Sequence, residues 1–338
     1  MQKQDNKGIS IIICCYNSTA RLPETIRHIA LQEVDDNISW ELIIINNAST
    51  DNLETVAYSE WEKYKNTKAG FSIVEEVQQG QTYARRKGVS MAQYEYVLFC
   101  DDDNWLHHDY LQNAFRIMET NPQIGALGGQ GEAVSDVNFP DWFEDFSDGY
   151  AVGKQDKDSG DISQKGYLWG AGMVTRLSLL IKIFDVTYPM LLSGRSEEKL
   201  TSGDDSEISQ RILLMGYHLF YSQELRFKHF IPHNRLTWKY KKKLFEGFTY
   251  SGTYVLNNYM IANQYLHVSK TKLLSSIFKL SVKNILWIVL SRNRKAIESQ
   301  LSWEKAFFFG NAKFLTDANS RAIFQFYLKY GRENFAIK

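Results

Sequence analysis

Cysteine is scarce: 338 residues contain three, Cys14, Cys15 and Cys100, each within or beside an apolar run. Their spacing suits neither a disulfide framework nor a zinc site, and they read as small buried hydrophobes of a reducing compartment. Residues 1–8 are polar and lack the apolar core of a secretory signal. An uninterrupted apolar stretch of about 20 residues, the length a membrane span needs, is also missing. The nearest approach, residues 270–290, is helical in pattern but is broken by Lys279 and Lys283. It suits an interfacial helix, or equally a helix packed on the main body with its lysines outward. Glycine is missing after the first strand-like run, where C-C-Y-N-S-T stands at 14–19, and this excludes a Rossmann dinucleotide site.

Net charge is lacking too, but the formal zero conceals an asymmetry. Residues 1–225 hold 19 Lys/Arg against 34 Asp/Glu, and residues 226–338 hold 20 against 5. A basic tail of this kind suits an anionic membrane face or an anionic substrate. The acidic first part, with no nucleic-acid-reading motif, argues against nucleic acid as a partner.

With 44% apolar and 23% charged residues, the chain has the composition of an ordered globular protein. Apolar runs at 9–15 and 42–45 read as interior strands buried on two faces. Residues 23–31 supply a crossover helix between them, and 52–64 a second helix capped by Ser49, Thr50 or Asp51. A third strand at 71–77, a helix at 81–91 and a strand at 96–100 complete a βαβαβαβ order, which gathers ligand groups at the strand carboxyl ends. Beyond it lie a helix at 110–120, a glycine-rich strand or turn at 125–131 and an acidic-aromatic stretch at 139–149. A polar, mobile loop follows at 154–165, then an apolar segment at 173–184, a helix from 202 to 215 and a strand at 219–230. A boundary near residue 240 divides a catalytic unit, 1–240, from a helical, basic region, 241–338.

The strand at 96–100 empties into Asp101, Asp102 and Asp103. Three adjacent carboxylates repel one another and cost desolvation, so something must offset them. Mg²⁺ carrying a polyanion is one candidate, since it is commonly held by one or two carboxylates plus substrate phosphates. A solvated acidic loop, with Asn104 and the aspartates capping the next helix, is the other.

Five stretches in order resemble a family 2 glycosyltransferase of the GT-A fold, over roughly residues 9–240. They are S-I-I-I-C-C-Y-N at 10–17, I-I-I-N-N-A-S-T-D at 43–51, Q-T-Y-A-R-R-K-G at 81–88, C-D-D-D-N at 100–104 and G-D-D-S-E at 203–207. The resemblance implies an α/β fold: a mostly parallel, Rossmann-like central sheet with flanking helices and a helical C-terminal extension. It implies an inverting transferase that passes a sugar from a nucleotide-diphosphate sugar to a glycan or lipid-linked glycan hydroxyl. Tyr16, Asn17, Asn46, Arg85, Asp101, Asp102 and Arg235 would serve the nucleotide-sugar. Asn46 falls where the family usually has an aspartate for the base. Asp101, Asp103 and His229 would hold Mn²⁺ or Mg²⁺, and Asp205 would be the base. Asp204 would raise its pKa by like-charge repulsion, the helix start would lower it, and Glu207 would close a capping box from Asp204. Residues 169–172 would shape the acceptor and sugar side. The expected location is cytoplasmic, peripheral on the inner face of the membrane. A metal-dependent hydrolase of a nucleotide-sugar or related phosphate ester, or a non-catalytic nucleotide-sugar binding protein, would explain the same carboxylates.

Overall fold

The computed structural model describes residues 6–64, 69–192, 194 and 203–251, with isolated helical positions between 275 and 329. The chain begins with β1 (Gly8–Cys15), α1 (Leu22–Ala30), β2 (Ser39–Asn46), α2 (Leu53–Trp61), β3 (Gly70–Glu75), α3 (Gln81–Met91) and β4 (Tyr96–Cys100). It continues through β5 (Asn104–Leu106), α4 (Tyr110–Thr120), β6 (Ile124–Val134), β7 (Gly160–Asp161), β8 (Met173–Arg176) and α5 (Leu177–Ile183). The last described elements are α6 (Asp204–Leu214), β9 (His218–Phe230) and α7 (Trp238–Ser251).

Alternation within the strands builds two cores. On β1, Ile9, Ile11 and Ile13 face one side of the sheet, and Ile12 faces the other. The first side is covered by α1, α2 and α4, through Ile26, Ala57 and Leu111 among others. The second is covered by α3, α5 and α6, through Ala84, Leu180 and Ile212. On α1 the buried Leu22, Thr25, Ile26 and Ile29 form one stripe, as a 3.6-residue period requires, with Pro23 in the first turn where its missing N–H costs nothing.

The strand order is β3-β2-β1-β4-β8-β6-β9-β5, with β7 also paired to β9. β3, β2, β1 and β4 are parallel, as expected. Beyond β4 the expectation of a mostly parallel sheet is corrected. β8 is antiparallel to β4 and to β6, and β5 and β7 are antiparallel to β9, which itself runs parallel to β6. The helix α4 leads into β6, but β8 takes the place beside β4, and hydrophobic period alone does not choose a strand's neighbour.

Three local expectations also change. Asn52, not Ser49, Thr50 or Asp51, is the N-cap of α2, and no side chain closes that cap. After Asp103 the chain enters β5 rather than a capped helix, pairing Asn104 with His229. Residues 154–165 are not a loose polar loop. Buried Gln155 donates to the Gly129 carbonyl and accepts from the Trp169 amide, and β7 pins the segment to β9.

A third apolar cluster, Phe143, Tyr150, Ile231, Leu236 and Leu244, seats α7 against the turn at 144–150. The helix therefore runs across residue 240, and most of 241–338, including most of 270–290, lies outside the described residues. Among the described residues no helix is long and apolar enough to cross a membrane.

Candidate functional site

A cavity of about 580 Å³ opens at the carboxyl ends of β1 and β4, between the three aspartates, the start of α6 and the inner side of α7. Each aspartate meets a different environment. Asp102 takes two bonds from Arg21, at 2.7 and 3.1 Å, and a third from the Ser18 hydroxyl, while its carbonyl accepts from Thr25. Its partners come from the β1–α1 turn, which it anchors, and both Arg21 and Asp102 line the cavity. Asp103, 3% exposed, receives Arg235 at 2.7 Å on one oxygen and stands 3.4 Å from His229 Nε2 on the other. Burial pushes its carboxyl up, but Arg235 and then His229 outweigh that and hold it well below the usual range. Asp101 is partly exposed on the cavity wall, and its charge acts on Arg85. The three charges are thus offset largely by arginines.

The β5–β9 pairing positions this group: the Phe230 amide donates to the Asp103 carbonyl, and Asn104 sits opposite His229. His229 Nδ1 lies 2.7 Å from the Tyr150 carbonyl. A carbonyl only accepts, so Nδ1 carries a proton, and Nε2 is the ring atom turned toward Asp103. Metal-bound histidines are commonly held in this way. Asp103 and His229 therefore suit a hard divalent ion whose remaining positions are filled by phosphate oxygens and water. Among the described residues no third His, Cys, Asp or Glu joins them as a three-ligand group, Asp101 included.

The opposite wall is the first turn of α6, entered through Gly203 at φ 104°. Arg85 Nη1 is 2.7 Å from Asp204 Oδ2, both side chains nearly buried, and the guanidinium lies 4.8 Å from the Phe99 ring centre. Beside this pair, Asp205 accepts from the amides of Gly170 at 2.9 Å and Ser206 at 2.7 Å. A Cβ at Gly170 would stand 2.9 Å from Arg85 Nη2 and 3.1 Å from Asp205 Cβ, so only glycine lets the 169–172 backbone reach this carboxylate. Burial, then the charge of Asp204, raise the Asp205 pKa; Arg85 and the two amide bonds offset part of the rise. The N-cap of α6 is Gly203, not Asp204, and Glu207 is fully buried, pairs with Arg211 and accepts from the Leu191 and Leu192 amides.

On the β2 side, Tyr16 lines the cavity, whereas Asn17 and Asn46 do not. Asn17, at φ 49°, accepts from the Thr50 amide and hydroxyl and ties the β1 and β2 turns together. Asn46 accepts from the Ser49 amide and donates to Glu54 at 3.0 Å. The neighbouring Asn47 does line the cavity, and its side chain bonds the backbone of residues 76, 78 and 80. Sequence reasoning passed over Asn47, Arg21 and the aromatic side chains of α7. The adjacent asparagines offered the one local signal; Arg21 and α7 reach the site only through tertiary packing.

An α/β sheet with acidic turns gathered at the ends of its parallel strands is the framework of a nucleotide-sugar transferase fold, and comparison with known proteins gives the family. The chain belongs to Glycosyl transferase family 2, which matches residues 10–184. Among curated relatives, a poly-beta-1,6-N-acetyl-D-glucosamine synthase of Staphylococcus epidermidis is 31% identical over 129 residues, 38% of this chain and 29% of that one. The match thus spans less than a third of that relative's length. Among solved structures, the mannosyltransferase PcManGT from Pyrobaculum calidifontis, in complex with GDP-Man and Mn²⁺, is similar at 16% identity. That likeness covers 98% of this chain and 88% of the other, with a TM-score of 0.55. S. aureus TarS 1–349 with UDP-GlcNAc is similar at 16% identity over 97% and 91% of the chains, with a TM-score of 0.51. These likenesses establish the GT-A-like fold.

Proposed function

We propose that the chain is an inverting glycosyltransferase, moving a sugar from a nucleoside-diphosphate sugar to a glycan or lipid-linked glycan hydroxyl. The observation that carries this reading is one cavity holding two unlike acidic walls. Asp103 is kept ionised by Arg235 and His229, while Asp205 has its pKa raised beside Asp204. The first wall suits a diphosphate with its counter-ion, and the second suits a proton acceptor.

In this reading Arg235 exchanges Asp103 for the donor diphosphate when substrate enters. Asp103 and His229 would hold Mn²⁺ or Mg²⁺, and Asp101 on the same wall would serve the donor's ribose or sugar. The bound cation would supply charge to the leaving diphosphate. Asp205 takes the proton of the acceptor hydroxyl as that oxygen attacks the anomeric carbon from the face opposite the leaving group, and the configuration inverts. Arg85 engages and fixes Asp204 in a buried ion pair, so Asp205, and not its neighbour, is the group left to accept a proton.

The names of the relatives support two donors to try first, UDP-GlcNAc and GDP-mannose. Purified protein with Mn²⁺ and either donor should release nucleoside diphosphate faster when a glycan acceptor is added. Release of free sugar at a rate indifferent to acceptor would favour a hydrolase, and binding without turnover a non-catalytic protein.

A further inference from the structure

Residues 270–290 line no part of the cavity, and their sequence suits either an interfacial helix or a helix packed on the main body. Their described positions discriminate between the two. Positions 278, 279, 282, 285, 286 and 290 are helical. At 3.6 residues per turn, Phe278, Val282, Ile285, Leu286 and Leu290 fall within an arc of about 140°, one face of the helix. A helix packed on the body buries such a face. Here the five side chains are between 40% and 78% exposed. The tail does meet the body elsewhere: the Phe326 ring stacks on Tyr188, 4.1 Å between centres, beside the core under α3, α5 and α6. A row of five large apolar side chains left in solvent marks a contact surface.

We infer that this face docks on an anionic lipid bilayer, with the helix lying in the plane of the headgroups. Two observations choose a bilayer over a second copy of the chain. Lys279 lies inside the apolar arc and is itself exposed. At a lipid interface its stem stays with the apolar side chains while its ammonium reaches a headgroup phosphate. In a two-fold helix pair the same lysine would meet apolar surface or its own copy. This stretch offers no carboxylate to offset it, because residues 247–297 contain seven Lys/Arg and no Asp or Glu. That run of positive charge is the second observation, since basic residues beside an apolar helix face are drawn to anionic headgroups. The acidic excess of residues 1–225 opposes the attraction, but solvent ions screen it beyond about 8–10 Å. The inference stands apart from the transferase reading, which it would narrow to the lipid-linked acceptor.

The test floats the full chain with vesicles of phosphatidylcholine alone or of a two-to-one mixture of phosphatidylcholine and phosphatidylglycerol. Wild type should partition at least about tenfold more strongly onto the mixed vesicles, and the difference should shrink at high salt. Lys279→Gln should weaken binding to the mixed vesicles about fivefold, the worth of one lysine near an anionic surface. Leu286→Ser, which removes apolar area and no charge, should weaken it about tenfold at low and high salt alike. Because both positions are exposed, both variants should melt within about 2 °C of wild type. Equal partitioning of wild type onto the two vesicle types, or variants that bind like wild type, would overturn the assignment. Early melting of Leu286→Ser would show that the body covers this face. A wild-type dimer that Leu286→Ser dissociates would give the face to a second copy, and either result also overturns the bilayer.

Discussion

Arg235 Nη1 lies 2.7 Å from Asp103 Oδ2, joining the turn before α7 to the end of β4 across 132 residues of chain. The carboxylate is 3% exposed, so removing its counter-charge leaves a buried anion. Arg235→Ala should cost about 3–5 kcal/mol of stability, the usual penalty for orphaning one partner of a buried pair. Added Mn²⁺ should recover part of that loss by taking the same oxygen, while affinity for a nucleoside diphosphate falls. Thermal denaturation with and without Mn²⁺ reads the first effect, and calorimetry with UDP and GDP the second. A loss of stability that Mn²⁺ leaves untouched would remove Asp103 from the proposed cation site.

Asn46 donates to Glu54, so an aspartate at this position would exchange a hydrogen bond for like-charge repulsion. Asn46→Asp should lose about 1 kcal/mol in denaturant titration. Adding Glu54→Gln should restore it. If Asn46 reads the base, the ratio of UDP to GDP affinity should also move in the single variant. Equal ratios before and after would take Asn46 out of the nucleotide site, which its absence from the cavity lining already disfavours.

How much of this was legible depends on how local the interactions are. The helix at 81–91, the strand at 96–100 and the helix at 110–120 coincide with α3, β4 and α4, because apolar spacing and flanking polar residues define them without outside help. The acidic cluster after β4 was equally plain, as was the need to offset it. Its actual partners were not: Arg21 and Arg235 stand 81 and 132 positions away, and no spacing rule links them to the aspartates. The antiparallel placement of β8, and the clasp of β5 and β7 on β9, likewise depend on pairings distant in sequence. Glu207 shows the same limit from the other side. Its position three after Asp204 invited a cap, but the Arg211 guanidinium one turn on claimed it.

That Glu207–Arg211 pair, with both side chains fully buried, separates folding from chemistry within one helical turn. Glu207→Ala should destabilise by about 3–5 kcal/mol. Whatever fraction stays folded should bind donor normally. Circular dichroism melting, with activity scaled to folded fraction, checks this; a variant of normal stability would show the pair is not holding α6.

Arg85 pairs with Asp204 and also lowers the pKa of Asp205. Arg85→Gln removes both effects. It should cost about 3–5 kcal/mol and push the Asp205 pKa higher still, because the offsetting positive charge is gone. The acidic limb of the transfer rate should therefore move to higher pH than in wild type. A limb that stays in place, in a variant of proven stability loss, would show that a group remote from Arg85 sets it.

Asp205 is the position where fold and chemistry pull in opposite directions. Burial and Asp204 raise its pKa, so the folded chain holds a proton more tightly there than the unfolded chain does. The stability this gives is complete below the ordinary carboxylate pKa and is lost as pH rises through the raised folded value. Asparagine does not titrate. The melting temperature of Asp205→Asn should therefore rise relative to wild type between acidic and neutral pH, whatever its offset at any one pH. Transfer should fall by roughly 10²–10⁴, the range for a lost general base, with donor affinity within a few-fold. Its residual rate should also lack the acidic limb that the raised Asp205 pKa predicts for wild type. Asp204→Asn, whose residue pairs with Arg85, should keep that limb while losing stability. The reverse pattern, with a near-normal Asp205→Asn and an inactive but folded Asp204→Asn, would transfer the role of base to Asp204.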